Sequence, residues 1–414
     1  MNDRIKKIIL NLPQPTKVVF FSLPVILLFL VLISAFLWKA PQQFTLLAQA
    51  FVHGHLNFGH SIGGEGYDPI SYKGRIYWGE GPFPGILLMP FVLLGYLFNF
   101  FFYQGYISWL LIIGILFFVF KLARRFGYNS SDSFLLGLTF VVGSVFVGVA
   151  LIASSGFYAQ VLTVFLLFWG LYEYLVKEHP RWWLLGIISG LLAITRITAA
   201  PIIIFFLLEL YVKSKKEPSR RYARLIQLSL PFVIAICLIA IYNWLRFGSP
   251  FNGGFAYQVL FPSSAASRAL GLFSPVHIPT NLYSLLLRSP LPITRTSASW
   301  TLKFPYIKNN VYGMSIFFTS PYLLYLFREK WSAYSSQLKR LLITSGISLL
   351  GVASYYGDGL QQYGYRYSLD FLPEIFLIFI VIYAKRHKTI SSGMKALMIA
   401  AIIINFSLAF YSGL

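Results

Sequence analysis

The sequence predicts an all-α fold: a polytopic transmembrane helix bundle of about 11–12 membrane segments with a long extracytoplasmic first loop. Three observations predict it. Of 414 residues, 57% are hydrophobic and only 11% are charged. Twelve apolar stretches recur along the chain, and the cations gather in short loops between them. Lys plus Arg is 34 against 13 Asp plus Glu, a formal net charge of +21. A nucleic-acid binder would carry far more charge, so no nucleic-acid partner is expected. The composition also excludes a disordered chain, a collagen and a disulfide scaffold. The single cysteine, Cys237, forms no internal disulfide and fits no metal or redox motif.

The apolar stretches are 19–38, 83–102, 106–123, 132–152, 157–176, 183–197, 201–212, 226–245, 315–327, 341–356, 369–384 and 396–411. The first is too long for a signal peptide and ends in Leu37-Trp38-Lys39 without a small-residue cleavage site, so it reads as a span. The N-terminal cations and five later clusters hold 23 of the 34 cationic residues. These clusters are Lys121 to Arg125, Lys177/Arg181, Lys213 to Arg224, Arg328 to Arg340 and Lys385 to Lys395. All are placed in the cytoplasm. An inside N-terminus and an outside C-terminus need an odd number of crossings, so one segment fails to cross. Segment 83–102, flanked by Pro82 and holding Pro84, Gly85, Pro90 and Gly95, is the one expected to re-enter or lie at the interface. The whole chain, 1–414, is read as one membrane domain in which 40–82 and 246–312 are the two long outer loops and 357–367 a short third. Stretches 43–52 and 281–288 mix apolar and polar residues as interfacial helices do.

The stretch 181–213 has basic residues at both ends and must go out and return. Each arm is then only about 22–25 Å long at 1.5 Å per residue, against a hydrocarbon core of about 30 Å. The hairpin tip, Arg196 to Pro201, is therefore expected below the outer membrane surface, where a cavity opens.

Acids are scarce, so their positions inform. Glu65, Asp68 and Glu80 fall in GEGYDPISYKGRIYWGEGPFPG of the first outer loop, beside Lys73, Arg75, Tyr67, Tyr72, Tyr77 and Trp78. That mixture suits carbohydrate chemistry next to a lipid phosphate. A carboxylate deprotonates an attacking hydroxyl, cations balance a leaving phosphate, and aromatic faces pack on sugar rings. A polar loop with solvated charges has the same composition. In YYGDGLQQYGYRYSLDFLPEI, Asp370 and Glu374 are four apart and expected on one helical face. Arg366 either pairs with Asp370, also four away, or faces a lipid phosphate. Arg196 either snorkels to the headgroups or touches a phosphate inside the cavity. His53, His55 and His60 invite a metal, but H-x-H lacks further ligands, so no metal site is assigned.

The order of these features resembles the GT-C superfamily of membrane glycosyltransferases, and is similar to its bacterial members related to protein O-mannosyltransferases and the lipid A aminoarabinose transferase. The pieces that carry the resemblance are residues 68–90, with GRIYW before GPFPGILLMPF, 243–254 (NWLRFGSPFNGG) and 364–373 (GYRYSLDFLP). The resemblance implies a GT-C-like fold, a polyprenyl-phosphate-linked sugar donor and transfer on the outer face of the cytoplasmic (inner) membrane. It implies a carboxylate base in the first outer loop, in the order Asp68, Glu80, Glu65, and a donor phosphate held by Arg366, with Lys73, Arg75 and Arg196. Tyr67, Tyr72, Tyr77 and Trp78 would frame the sugar. Many relatives carry an acidic pair soon after the first span; here that place holds Gln42 and Gln43.

The expected function is an inverting hexosyltransferase acting on a glycan, lipid or protein acceptor, without a cofactor and with metal dependence left open. The rivals are a transporter or flippase of lipid-linked sugars and a non-catalytic membrane subunit. They part on one geometric point. The enzyme needs Asp68 and Arg366 at one outward cavity, because base and donor must meet at the reacting centre.

Overall fold

The computed structural model describes residues 40–59, 68–215, 218–296, 300–357, 359 and 362–411. The first predicted span, the N-terminal cations, His60, Glu65 and Tyr67 lie outside these residues. Helix α1 (Gln43–Val52) is followed by a hairpin of β1 (Ile70–Tyr72) and β2 (Arg75–Tyr77), then α2 (Phe83–Leu97), α3 (Gly105–Arg125), α4 (Ser130–Val141), α5 (Phe146–Leu151) and α6 (Ser155–Leu175). Next come α7 (Trp182–Ala193), α8 (Ile202–Ser214), α9 (Arg221–Phe247), α10 (Pro262–Ala269) and α11 (Ile278–Leu286). A second hairpin, β3 (Leu291–Thr294) and β4 (Leu302–Lys308), precedes α12 (Ile316–Thr319), α13 (Ser336–Ser354), α14 (Leu372–Arg386) and α15 (Ser392–Tyr411). Among the described residues, five helical stretches are long and apolar enough to cross a membrane: Gly105–Arg125, Gly156–Leu175, Ile197–Ser214, Pro218–Phe247 and Ser392–Tyr411. The fold is thus the helical multi-pass membrane bundle that composition predicts.

Two predicted spans are broken. Stretch 132–152 splits between α4 and α5 because Ser144 turns its hydroxyl back on the Phe140 carbonyl (2.6 Å) and accepts from Phe146 N, capping the second helix. Stretch 315–327 becomes α12 and a 3₁₀ turn over Pro321–Arg328, since Pro321 cannot continue the α-helical ladder. Helix α2 tolerates Pro90 in its interior. Its chain leaves and returns at one end of the bundle: the Glu80 carboxylate lies beside Gly156, and Gln104 reaches the carbonyl of Ala153.

The interhelical acids mark the other end. Glu173 pairs with Arg181 (2.7 Å), Glu209 with Arg340 (2.6 Å), Glu329 with Arg386 (2.8 Å) and Asp132 with Lys395 (2.7 Å). These are residues of the segments grouped together by charge. At the opposite end the loops knit into one cap. Single bridges join Ile70 to Gln258, Phe273 to Tyr355 and Tyr312 to Gln362. The core between is aromatic and dense, with Phe140 packed on Phe146, Phe168 and Phe376.

The short hairpin α7–α8 packs on α9 through small residues. A Cβ on Gly186 would strike the Leu228 carbonyl, and one on Gly190 would lie 2.8 Å from the Ala235 Cβ. Gly186 and Gly190 are four apart, so both present one face to α9, the small-residue packing that lets membrane helices approach closely. Replacing Gly186 by Val is expected to force these helices apart and cost about 1–3 kcal/mol. The check is a lower thermal midpoint in detergent, with Gly346→Val, which meets no neighbour, as the unaffected control.

Candidate functional site

The site is built where the hairpin tip, the first outer loop and the turn after the third outer loop meet. The tip comes first. Helix α7 ends at Ala193, the chain crosses Arg196 in extended conformation, and a 3₁₀ turn over Ile197–Ala199 leads to α8. Arg196 donates from Nε to Asp370 Oδ1 (2.7 Å) and from Nη2 to Oδ2 (2.9 Å), and Thr198 donates its hydroxyl to the same carboxylate. Asp370 is completely buried. Arg196 and Asp370 thus form a bidentate pair between residues 174 apart in sequence.

That pair overturns the alternative in which Arg366 binds Asp370. Residues Arg366–Asp370 form a 3₁₀ turn that ends at Phe371, whose φ of −141° breaks it from α14. Asp370 and Glu374 therefore do not share a continuous helical face, and Glu374 accepts instead from the Ser345 hydroxyl. Arg366 lies between the rings of Phe157 (4.9 Å) and Tyr367 (4.8 Å). Among the described residues, its side-chain hydrogen bonds are long ones, to Gln160 Oε1 and Tyr367 Oη, both at 3.4 Å. Its Nε is buried with no partner. Aromatic faces hold a guanidinium without neutralising it.

Glu80 and Asp68 are the acids facing it. A Cβ on Gly156 would lie 2.9 Å from Glu80 Oε1 and 3.3 Å from Arg366 Nη1, so this glycine lets both groups approach the start of α6. Glu80 Oε2 is buried without a hydrogen-bond partner. Burial pushes the Glu80 carboxyl above the usual range, against the opposing pull of Arg196 and Arg366. Asp68 has a φ of 92°, a left-handed conformation unfavourable for a residue with a Cβ. It is held there by its N–H on the Val259 carbonyl (2.9 Å) and by Gln258 on its own carbonyl (3.1 Å). The Asp68 side chain opens to solvent on one side while protein crowds the rest; that crowding raises its pKa, and Arg366 opposes the rise.

Two cavities lie back to back. One, of about 350 Å³, is lined by Ile197, Thr198, Ile239, Asn243, Arg246 and Val352 among others. The second, of about 380 Å³, is lined by Asp68, Trp78, Ser263, Ser264, Ser267 and Thr280 among others, and lies among the loops. Glu80, Phe255, Tyr355, Arg366 and Tyr367 line both and form the divide. Asp68 and Arg366 thus meet at one cavity, as an enzyme requires.

The other expected residues divide. Trp78 lines the polar cavity and Arg196 the apolar one. Lys73 and Arg75 line neither. Lys73 sits at the turn of the β1–β2 hairpin over the Tyr72 ring (5.3 Å). Arg75 faces a third, open cavity with His53 and His55. Tyr72 and Tyr77 pack against Phe247 beneath the hairpin. Among the described residues, no group of three or more His, Cys, Asp or Glu side chains is placed to hold a metal ion. Arg246 was not expected. It is 6% exposed, donates to the Trp78 carbonyl (2.8 Å) and Asn243 Oδ1 (2.9 Å), and lies over the Tyr242 ring at 3.8 Å. Its Nε has no partner. The sequence signal was Asn243-x-x-Arg246, two polar residues on one face at the end of an apolar helix.

Fold and site define a multi-pass helical membrane protein in which Arg366, not ion-paired to any described carboxylate, stands between an apolar and a polar cavity. No family model and no curated protein matches the chain. Among solved structures it is similar to the oligosaccharyltransferase of Archaeoglobus fulgidus. Against the form tethered to an acceptor peptide with the NVT sequon, identity is 14% and the TM-score 0.43, over 95% of this chain and 55% of that one. Against the complex with an inhibitory peptide and a dolichol-phosphate, identity is 14% and the TM-score 0.44, over 94% and 55%. The chain spans about half the length of the structures it matches.

The two arginines separate by experiment. Asp370→Asn strands Arg196 and is expected to destabilise the protein by about 3–5 kcal/mol, the cost of breaking a buried pair. Arg366→Ala breaks no ion pair among the described residues and is expected to leave the thermal midpoint within the range of neutral variants. Unfolding in detergent compares them.

Proposed function

We propose that the chain is a membrane glycosyltransferase of the GT-C kind, moving a sugar from a polyprenyl-phosphate-linked donor to an acceptor hydroxyl. The carrying observation is the pair of cavities that share Arg366 and Glu80 as their divide. A lipid-linked sugar has an apolar tail, an anionic link and a polar head. The apolar cavity, bordered by α9 and the hairpin tip, suits the tail side. Arg366 and Arg246, neither ion-paired to a described carboxylate, suit the phosphate. The hydroxyl-rich cavity among the loops suits sugar and acceptor.

In this reading Asp68, which lines only the polar cavity, takes the proton of the attacking hydroxyl. The acceptor oxygen bonds to the anomeric carbon as the bond from that carbon to the phosphate oxygen breaks on the opposite face, inverting the configuration. The electron pair leaves with the polyprenyl phosphate, whose charge Arg366 and Arg246 balance. Trp78 and Tyr367 offer faces to the sugar. Glu80, the alternative base, stands at the divide. The cap of loops forms the outer, extracytoplasmic side of an inner membrane. A carrier of lipid-linked sugars would use the same cations but would not depend on Asp68.

Asp68→Asn in membranes is expected to lower transfer by about 10²–10⁴-fold, the contribution of a general base, with donor binding retained. Full transfer by this variant would refute the base. Arg366→Ala is expected to lose donor binding. The pH profile has a defined sign. The base works ionised, and burial raises the Asp68 pKa. Transfer should therefore begin to fall at a higher pH than for a solvated aspartate as the medium is acidified. Glu80→Gln should leave that acid limb in place if Asp68 is the base.

A further inference from the structure

The second hairpin carries a surface that the reaction does not use. Strand β4 and the turn before it expose Trp300 (97%), Phe304 (66%) and Tyr306 (54%), with Leu291 and Leu302 beside them. Large aromatics this open are normally covered by something. The same stretch exposes Arg295, Lys303 and Lys308. It holds no acid, and none occurs anywhere between Glu217 and Glu329. The covering partner is therefore apolar beneath and anionic above.

The position of the hairpin says what that partner is. The Phe304 ring meets the Tyr411 ring at 6.1 Å, and Phe410 follows at 6.1 Å from Tyr411. Tyr411 is the last residue of α15, a helix of membrane length that exposes Ile399, Ile403 and Ile404 along its flank. The hairpin thus sits where the apolar flank of a spanning helix ends. Aromatic side chains concentrate at that level because their rings are apolar at one end and polar at the other, and neighbouring cations there meet anionic headgroups.

We propose that the β3–β4 hairpin is a membrane-interface anchor, with Trp300, Phe304 and Tyr306 seated at the acyl–headgroup boundary and Arg295, Lys303 and Lys308 on anionic lipid headgroups. The anchor is joined to the polar cavity. Strand β4 runs into Asn309, which donates to the Gln362 carbonyl (2.7 Å), and into Tyr312, which lines that cavity. Lipid contact thereby holds one wall of the cavity at a set depth.

The test uses the full chain in vesicles, with Cys237→Ser and Trp300→Cys carrying a nitroxide label. Trp300 packs on little, so the exchange leaves the fold intact. In phosphatidylcholine/phosphatidylglycerol vesicles the label is expected to be several-fold more accessible to oxygen than to a water-soluble nickel chelate. Lys303→Glu with Lys308→Glu should move it toward water. Free access of the nickel chelate would overturn the anchor. So would shielding from both reagents with spin coupling between labels, which would mean that a second copy covers the hairpin. Equal depth in pure phosphatidylcholine would overturn the anionic component.

Discussion

The cap half of the molecule depends on the ion pair between Arg196 and Asp370. It ties the tip of the α7–α8 hairpin to the turn that carries Arg366, joining parts of the chain 174 residues apart. Asp370 is fully buried, and a carboxylate in that place without a guanidinium would be an uncompensated charge. Arg196 and Thr198 occupy Asp370, so Arg366 forms no close ion pair with it. The nearest acid by spacing is thus the one Arg366 does not use, and its charge stays available at the divide between the two cavities.

The remaining acids follow the same division. At the far end of the bundle Glu173, Glu209, Glu329 and Asp132 each meet an Arg or Lys within 2.8 Å, and each pair closes a turn or a helix–helix contact. At the cavity end Asp68 and Glu80 lie near cations without forming a pair of that kind. Burial raises the pKa of both. Strain adds to the distinction. Asp68 keeps a left-handed backbone only because Val259 and Gln258 hold it, and such conformations cost about 1–3 kcal/mol. At the far end these acids close structural pairs, whereas Asp68 and Glu80 line the polar cavity.

Much of this was legible in the sequence. Stretches such as 106–123, 157–176, 226–245 and 396–411 return as helices within a few residues, because apolar length alone decides a membrane helix. The breaks at Ser144 and Pro321 were not legible, since an average of hydropathy passes over a capping hydroxyl or a missing N–H. At the site, Asp68, Glu80, Arg366, Arg196 and Trp78 reached the cavity walls. Lys73, Arg75, Tyr72 and Tyr77 did not, although they are close in sequence, because the β1–β2 hairpin turns its tip and one face away. The partner of Asp370 lay 174 residues off, beyond any local spacing rule. Arg246 was hidden by its place at a helix end, where a cation reads as a snorkelling residue until Trp78 and Asn243 are seen to hold it.

The cation excess on the cap side then has a physical reading. The long second loop contributes Arg246, Arg268, Arg288, Arg295, Lys303 and Lys308 with no acid between Glu217 and Glu329. With the cap facing outward, as proposed, cations there are normally poorer, so those retained are expected to meet anions. The structure separates those cations by depth. Arg246 is buried in the wall of the apolar cavity. Lys303 and Lys308 stand exposed on the hairpin, at the level where α15 ends. One set suits a phosphate carried by a lipid into the protein, the other the phosphates of the surface around it. The lipid-linked donor proposed above would use both, its headgroup leaving the plane of the second set to reach the first.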